Sequence, residues 1–121
     1  MKIEDQDLLL KDLCGRLPYW VKCIVKSDGY IGVISSIESQ YGVVTFDDGR
    51  QEEICDIKPY LFPLSSMTGR LKAELFNLRI NIEEPFQDSL CEIDFYHRKH
   101  FDYRGLIEKG LAIDATGLNI Y

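Results

Sequence analysis

The chain of 121 residues lacks several features that mark common functional classes. Its four cysteines form no CxxC pair, which argues against a zinc knuckle and against a thioredoxin-type redox motif. No stretch approaches the ~20 consecutive apolar residues that a membrane span requires. Positive charge is not in excess either, since 14 Lys and Arg stand against 20 Asp and Glu for a net charge of −6. This balance disfavours a broad nucleic-acid groove and docking on anionic membranes, because both depend on Lys and Arg.

Motifs for nucleophilic catalysis and phosphate binding are absent as well. Ser65 and Ser66 lie outside any Gly-x-Ser-x-Gly elbow, and the glycines are spread through turns without the spacing that cradles a phosphate. The sequence therefore predicts no catalytic set of this kind and no cofactor.

The composition is that of an ordinary folded domain, with 45% apolar and 28% charged residues. The length suits a single domain over residues 1–121. The first residues are acidic where a secretory signal would be basic and apolar. We therefore expect a cytoplasmic protein in which all four cysteines, Cys14, Cys23, Cys55 and Cys91, are unpaired thiols.

Hydrophobic periodicity predicts an α+β fold. A short helix is expected from about Asp5, with Leu9 and Leu13 on one face and Gly15 at its end. From about residue 21 to residue 57 the period changes to two, as in Val21, Cys23 and Val25 and again in Ile31, Val33, Ser35 and Ile37. Four such runs are separated by Asp-Gly turns at residues 28–29 and 48–49 and by a polar break at residues 38–40, so we predict an antiparallel meander. The tight spacing favours a strongly bent sheet of the SH3-like barrel type.

The second half of the chain predicts short helices. Residues 58–64 contain two prolines, which predict an extended strap across the core rather than a central strand. Thr68 is placed to cap one helix, Asp88 or Ser89 a second, and Gly110 closes a last turn. We therefore expect two helices within residues 68–98 after the sheet.

Three stretches of the chain resemble a known group of proteins. Residues 58–68 (KPYLFPLSSMT) and 100–112 (HFDYRGLIEKGLA) are similar to two signature stretches of short, uncharacterised proteins of gut anaerobes and of their phages or mobile elements. Residues 9–19 resemble the opening of that group. The resemblance implies kinship and a phage or mobile-element setting, without a mechanism. Relatives place two adjacent histidines before Phe-Asp-Tyr-Arg-Gly, whereas Lys99 stands here at the first of these positions.

One cluster near residues 94–104 is dense enough to suggest chemistry. Asp94, His97, His100 and Asp102 are residue types that bind Zn²⁺, Mn²⁺ or Fe²⁺, and His100 could also act as a base oriented by Asp102. In the structural alternative, both histidines cap the helix end as cations, Asp102 caps the next turn, and Arg104 pairs with a carboxylate. We favour the structural interpretation, because such short spacings arise often without function.

Aromatic residues provide the other candidate site. Five of them lie in or beside the predicted sheet and could bind a protein segment: Tyr19, Trp20, Tyr30, Tyr41 and Tyr60. The alternative is that most of these rings fill the core. The sequence thus favours a non-enzymatic protein-binding or adaptor domain. The alternative function is a small metal-dependent hydrolase or nuclease that uses the cluster near residues 94–104.

Overall fold

The computed structural model describes residues 2–80 and 85–121, with side chains described for residues 2–78 and 92–121. It confirms the α+β class. The helices are α1 (Ile3–Arg16), α2 (Gly69–Ile80) and α3 (Pro85–Arg98). The strands are β1 (Lys22–Val25), β2 (Ile31–Glu38), β3 (Val43–Phe46), β4 (Gln51–Glu53), β5 (Ile57–Pro63), β6 (Phe101–Asp102) and β7 (Ile113–Asp114).

The strands form one open, mixed sheet. Its order is β4-β3-β2-β1-β5-β6, and β7 also pairs with β5. The pairs from β4 to β1 are antiparallel, as predicted, and β1 also pairs antiparallel with β5, whereas β6 and β7 run parallel to β5. The barrel prediction is not confirmed, because β4 pairs with β3 alone among the described strands and leaves that edge of the sheet open.

The predicted strap is in fact strand β5, which lies inside the sheet. Strand backbone groups alternate in direction, and the Lys26 amide donates to the Asp56 carbonyl. The hydrogen bonds between β1 and β5 therefore involve the even-numbered residues of β5. Pro59 lies opposite Cys23, at a position that makes no hydrogen bond to β1. Its parallel partners begin one residue later, at Tyr60. The proline is tolerated because of this register, which local sequence rules do not reveal.

Two further strand predictions need correction. The fourth run stops as a strand at Glu53 and continues as a 3₁₀ turn over Ile54–Asp56. In β2, Ile34 is the buried residue, while Ile31 on the predicted apolar face is 44% exposed. The register of β2 against β3 shifts between Ile34 and Ser36, so a simple alternation does not hold along this strand. The inward faces predicted for β1 and β3 are confirmed, with every predicted residue buried.

Helix α1 is longer than predicted and continues through Gly15 to Arg16. Leu9 and Leu13 are fully buried against the sheet, as expected. A side chain at Gly15 would place its Cβ 2.5 Å from Cε1 of His97 on α3. The glycine therefore serves close packing of α3 on α1 rather than ending the helix.

Helices α2 and α3 form a second, smaller core with Phe101 of β6. Leu75 and Phe95 are buried there. The Thr68 cap is confirmed, because its Oγ1 accepts a hydrogen bond of 3.3 Å from the Leu71 amide. Helix α3 begins earlier than predicted, at Pro85, a residue that suits the first helical position. Among the described residues, no helix is long and apolar enough to cross a membrane.

Candidate functional site

The side chains of the predicted metal cluster turn to separate partners. The Tyr19 hydroxyl donates to Asp94 Oδ1, which draws this carboxylate toward the loop after α1. His97 Nε2 lies 2.7 Å from the Tyr103 hydroxyl. Within the described residues, no group of three or more His, Cys, Asp or Glu side chains is arranged to hold a metal ion.

Asp102 organises the turn that follows β6. Its Oδ1 accepts from the backbone amides of Arg104 (3.3 Å) and Leu106 (3.0 Å), and its Oδ2 accepts from that of Ile107 (2.9 Å). The side chain is thus occupied by three donors, and the residue is 7% exposed. This is the capping role that the structural interpretation assigned to Asp102.

A buried ionic network, which sequence reasoning did not identify, joins α1 to this turn. Arg16 Nε donates to Asp12 Oδ2 at 2.7 Å, and both side chains are fully buried. Arg16 Nη2 also donates to the Phe101 carbonyl at 2.6 Å. Arg104 Nε donates to Asp12 Oδ1 at 3.1 Å, so the predicted pairing of Arg104 with a carboxylate is present. The spacing of four residues between Asp12 and Arg16 was the available signal.

Both imidazoles are held in their neutral form. Burial lowers the pKa of His97, and the nearby Arg16 guanidinium lowers it further. Burial, aided by Arg16 and Lys22, lowers the pKa of His100 to about 4. Near pH 7 neither ring carries the positive charge that the capping interpretation assigned to it. A neutral imidazole can accept or donate one hydrogen bond on each nitrogen, and His97 uses Nε2 in this way with Tyr103.

His100 belongs to a contact with Tyr121. The two rings stack with centroids 3.7 Å apart, and His100 adopts a left-handed backbone with φ of 64°. The Tyr121 hydroxyl accepts from the Lys22 amide and donates to the Tyr60 carbonyl, both at 2.8 Å. The Tyr121 hydroxyl oxygen thus connects Lys22 of β1 with Tyr60 of β5, next to the last directly paired residues, Cys23 and Pro59. Sequence reasoning missed this contact, because nothing local connects Tyr121 to strands 60 to 100 residues earlier.

The predicted aromatic residues do not share one environment. Tyr60 is buried at 4% exposure, and Tyr30 packs edge-on against Phe46 with its ring under the Arg50 guanidinium. Tyr19 is bound to Asp94, as described above. Trp20 and Tyr41 are 74% and 70% exposed. Two of the five rings therefore project into solvent, while the others are engaged within the fold.

A broad concavity lies at the free edge of the sheet. We call it the β4 groove; it has a volume of about 590 Å³ and is lined by Val43, Gln51, Glu52, Glu53, Cys55 and Asp56. Strand β4 forms one wall, and the 3₁₀ turn that follows it contributes Cys55 and Asp56. Exposed Tyr41 lies two residues before the groove residue Val43. The groove is therefore a surface channel beside a strand edge rather than an enclosed cavity.

The charge in the β4 groove is negative. Glu52 is neutralised by Arg50, whose Nε donates to it at 2.8 Å. Glu53 accepts a weak contact from the Cys55 thiol, and Asp56 accepts from the Ser27 hydroxyl; neither has a cationic partner among the described residues. Helix α1, whose first turn carries Glu4 and Asp5, packs against this 3₁₀ turn.

Comparison with known proteins adds no assignment: no protein-family model, no curated protein and no solved structure matches this chain.

Proposed function

We propose that the protein is a non-enzymatic protein-binding or adaptor domain that takes an extended, basic segment of a partner along the β4 groove. The observation that carries this proposal is the outer edge of β4, which pairs with no other described strand and lies beside an acidic groove of about 590 Å³. An extended peptide can add to such an edge as a further strand, with main-chain hydrogen bonds for affinity and alternate side chains for specificity.

The backbone direction in β4 supports this binding mode. The Ile54 amide donates to the Gly42 carbonyl, and the Phe46 amide donates to the Arg50 carbonyl. Because strand groups alternate, Gln51 and Glu53 direct their amides and carbonyls away from β3. These two residues therefore offer two donors and two acceptors to an added strand.

Charge complementarity defines the partner. Glu53 and Asp56 lack cationic partners among the described residues, whereas Glu52 is already paired. A partner strand that carries Lys or Arg at alternate positions would place these cations over the groove. Exposed Tyr41 lies two residues before Val43 of the groove, and we expect it to contact the bound segment, in line with the predicted binding role of this residue.

Catalysis by the cluster near residues 94–104 has less support. Asp94, His97 and Asp102 each have a partner within the fold, and the His100 ring is stacked on Tyr121. The geometry favours a structural role for all four residues.

The proposed setting is the cytoplasm, in proteins of phage or mobile-element origin. Cys14, Cys23 and Cys55 are free thiols, which fits a reducing compartment, and Cys91 lies outside the described side chains. The phage or mobile-element origin depends on the resemblance of residues 9–19, 58–68 and 100–112 alone.

A synthetic peptide tests the proposal. A blocked peptide of alternating Lys and Val should bind and shift the amide resonances of Gln51 and Glu53, while an alternating Glu and Val peptide should not. Proline at Gln51 removes an outward amide without removing a bond to β3, so Gln51→Pro should weaken binding at least about tenfold. Glu53→Lys should also weaken it, while Glu108→Lys at an exposed site outside the groove should have little effect.

Among the described cysteines, the two exposed ones give an independent readout. Cys55 lines the β4 groove, whereas Cys14 lies on α1 outside it. Bound peptide should slow alkylation of Cys55 and leave that of Cys14 unchanged. Equal protection of both thiols, or binding of both peptides alike, would refute the proposed site.

A further inference from the structure

A second, smaller concavity lies on a different part of the fold. We call it the β5–α2 pocket; its volume is about 240 Å³, and it is lined by Phe62, Ser66, Thr68, Leu71, Lys99 and Phe101. The two stretches with family resemblance in the second half of the chain meet here, because Phe62 pairs with Phe101 where β5 and β6 run side by side. The pocket is independent of the β4 groove, which is at the other end of the strand order.

The floor of the β5–α2 pocket is apolar and well supported. The Phe62 and Phe101 rings lie with centroids 6.2 Å apart, and Phe101 is 3% exposed. Leu71 closes one side from α2. Phe101 also stacks on buried Phe95 of α3, so the floor is fixed by the second core. An apolar group that enters this pocket would therefore meet a preformed surface.

Three polar side chains lie at the pocket, and each has hydrogen-bonding capacity that no other described residue uses. Lys99 Nζ lies 3.6 Å from Glu74 Oε1, beyond direct hydrogen-bond distance, so its ammonium donors remain available. Thr68 Oγ1 accepts from the Leu71 amide and keeps its own proton to donate. Ser66 donates to the Pro63 carbonyl at 2.7 Å, which leaves its oxygen free to accept.

This arrangement matches one kind of chemical group. Lys99 and Thr68 offer a charged and a neutral donor to an anion, Ser66 offers an acceptor to an N–H group, and the aromatic floor accepts an apolar side chain. A volume of about 240 Å³ equals about eight waters at ~30 Å³ each, and it falls below the roughly 300 Å³ at which small-molecule sites usually begin. The pocket is too small for a nucleotide cofactor and suits one amino-acid residue.

We propose that the β5–α2 pocket binds the carboxylate of an N-acylated amino acid with an apolar side chain. The carboxylate contacts Lys99 and Thr68, the amide N–H donates to Ser66, and the side chain packs on Phe62 and Phe101. Such a group occurs in two sources, the C-terminal residue of a peptide chain and a free N-acyl amino acid.

Calorimetric titration of the full chain with N-acetyl-leucine tests the chemistry. The neutral control is N-acetyl-leucinamide, which differs in the carboxylate alone. We expect the acid to bind at least about tenfold more tightly, because charge-assisted hydrogen bonds are the stronger kind. Lys99→Gln should remove this preference, whereas Lys72→Gln on the exposed face of α2 should preserve it. Equal affinity for acid and amide in the wild type, or no binding of either, would overturn the proposal.

A third probe distinguishes the two sources. A tetrapeptide that ends in leucine with a free carboxylate is compared with N-acetyl-leucine. Tighter binding of the tetrapeptide assigns the pocket to a chain terminus, and equal binding assigns it to a free acid. Resonance shifts at Leu71 and Phe101 are expected in either case, and their absence on binding would place the ligand elsewhere and refute the proposal.

Discussion

Removal of the Asp12 carboxylate should be among the most damaging single changes to this protein. Asp12 binds both Arg16 and Arg104, and it shares a fully buried ion pair with Arg16. In Asp12→Ala the Arg16 guanidinium keeps the Phe101 carbonyl as a partner, while its Nη1 already lacks a partner among the described residues. The substitution therefore leaves a buried positive charge without compensation.

The expected loss follows from this burial. Breaking a buried ion pair by removing one partner costs ~3–5 kcal/mol. In a domain of this length ~1 kcal/mol corresponds to about 4 °C, so Tm should fall by roughly 12–20 °C. Arg104 adds little to the loss, because its side chain is 22% exposed and can regain water.

Urea and thermal unfolding at pH 7 measure the effect. The matched control is Glu74→Ala, which breaks the partly exposed pair with Lys99 and should change Tm by no more than about 3 °C. Replacing both charges in Asp12→Leu/Arg16→Met should recover much of the loss, because no buried charge is then left alone. A decrease in Tm of less than about 4 °C in Asp12→Ala would refute the reasoning. So would a double variant that is no more stable than Asp12→Ala.

Three further predictions concern the same part of the fold. Gly15→Ala should lower the free energy of unfolding by ~1–3 kcal/mol, because the added Cβ would lie 2.5 Å from Cε1 of His97. The control Gly69→Ala, where the added Cβ meets open space, should be neutral or stabilising in the same unfolding assay. Asp102→Ala leaves three backbone amides without their acceptor and should cost ~1–3 kcal/mol, whereas an unchanged Tm would contradict the capping role. The pKa of His100 is lowered to about 4 in the folded protein from ~6.5 in the unfolded chain. The contribution of its neutral imidazole to the free energy of unfolding is therefore complete above pH 6.5, declines as pH falls and is lost near pH 4. Partial exposure limits this loss to about 1–2 kcal/mol, and His100→Asn, which tolerates the left-handed backbone, should show a smaller decline between pH 7 and 5. Parallel pH profiles of the two proteins would contradict this assignment.

Local patterns predicted the elements that depend on neighbours in sequence. Leucines four residues apart marked the buried face of α1, and the inward residues of β1 and β3 followed the period of two. Gly29 and Gly49 adopt positive φ in the turns where Asp-Gly pairs were noted. These features are decided by side-chain direction and backbone conformation within a few residues, so the sequence is sufficient for them.

The errors arose where a distant strand overrides a local preference. The rule that proline avoids central strands fails at Pro59. Proline lacks an amide proton, but in this register residue 59 makes no hydrogen bond to β1. The predicted barrel is not formed for a similar reason. Strand β5 pairs with β1 and also with β6 and β7, which come from the second half of the chain. Such pairings depend on residues about 40 to 50 positions away.

The candidate sites show the same division. Residues 94–104 form a dense cluster in the sequence. The partners of Asp94, Arg104 and His100 nevertheless lie well outside it, at Tyr19, Asp12 and Tyr121. The acidic residues of the β4 groove and the aromatic residues of the β5–α2 pocket are visible in the sequence, although nothing local indicates that either set lines a concavity.

The sequence by itself determined the α+β class, the buried faces of α1, β1 and β3, and the Thr68 cap. Each of these depends on residues close enough for one helical turn or one strand repeat to relate them. The tertiary structure alone decided which edge of the sheet stays open, which charges are buried together, and where the two concavities lie. Those outcomes depend on strand order and long-range packing, which are fixed by the balance of many weak contacts between distant segments.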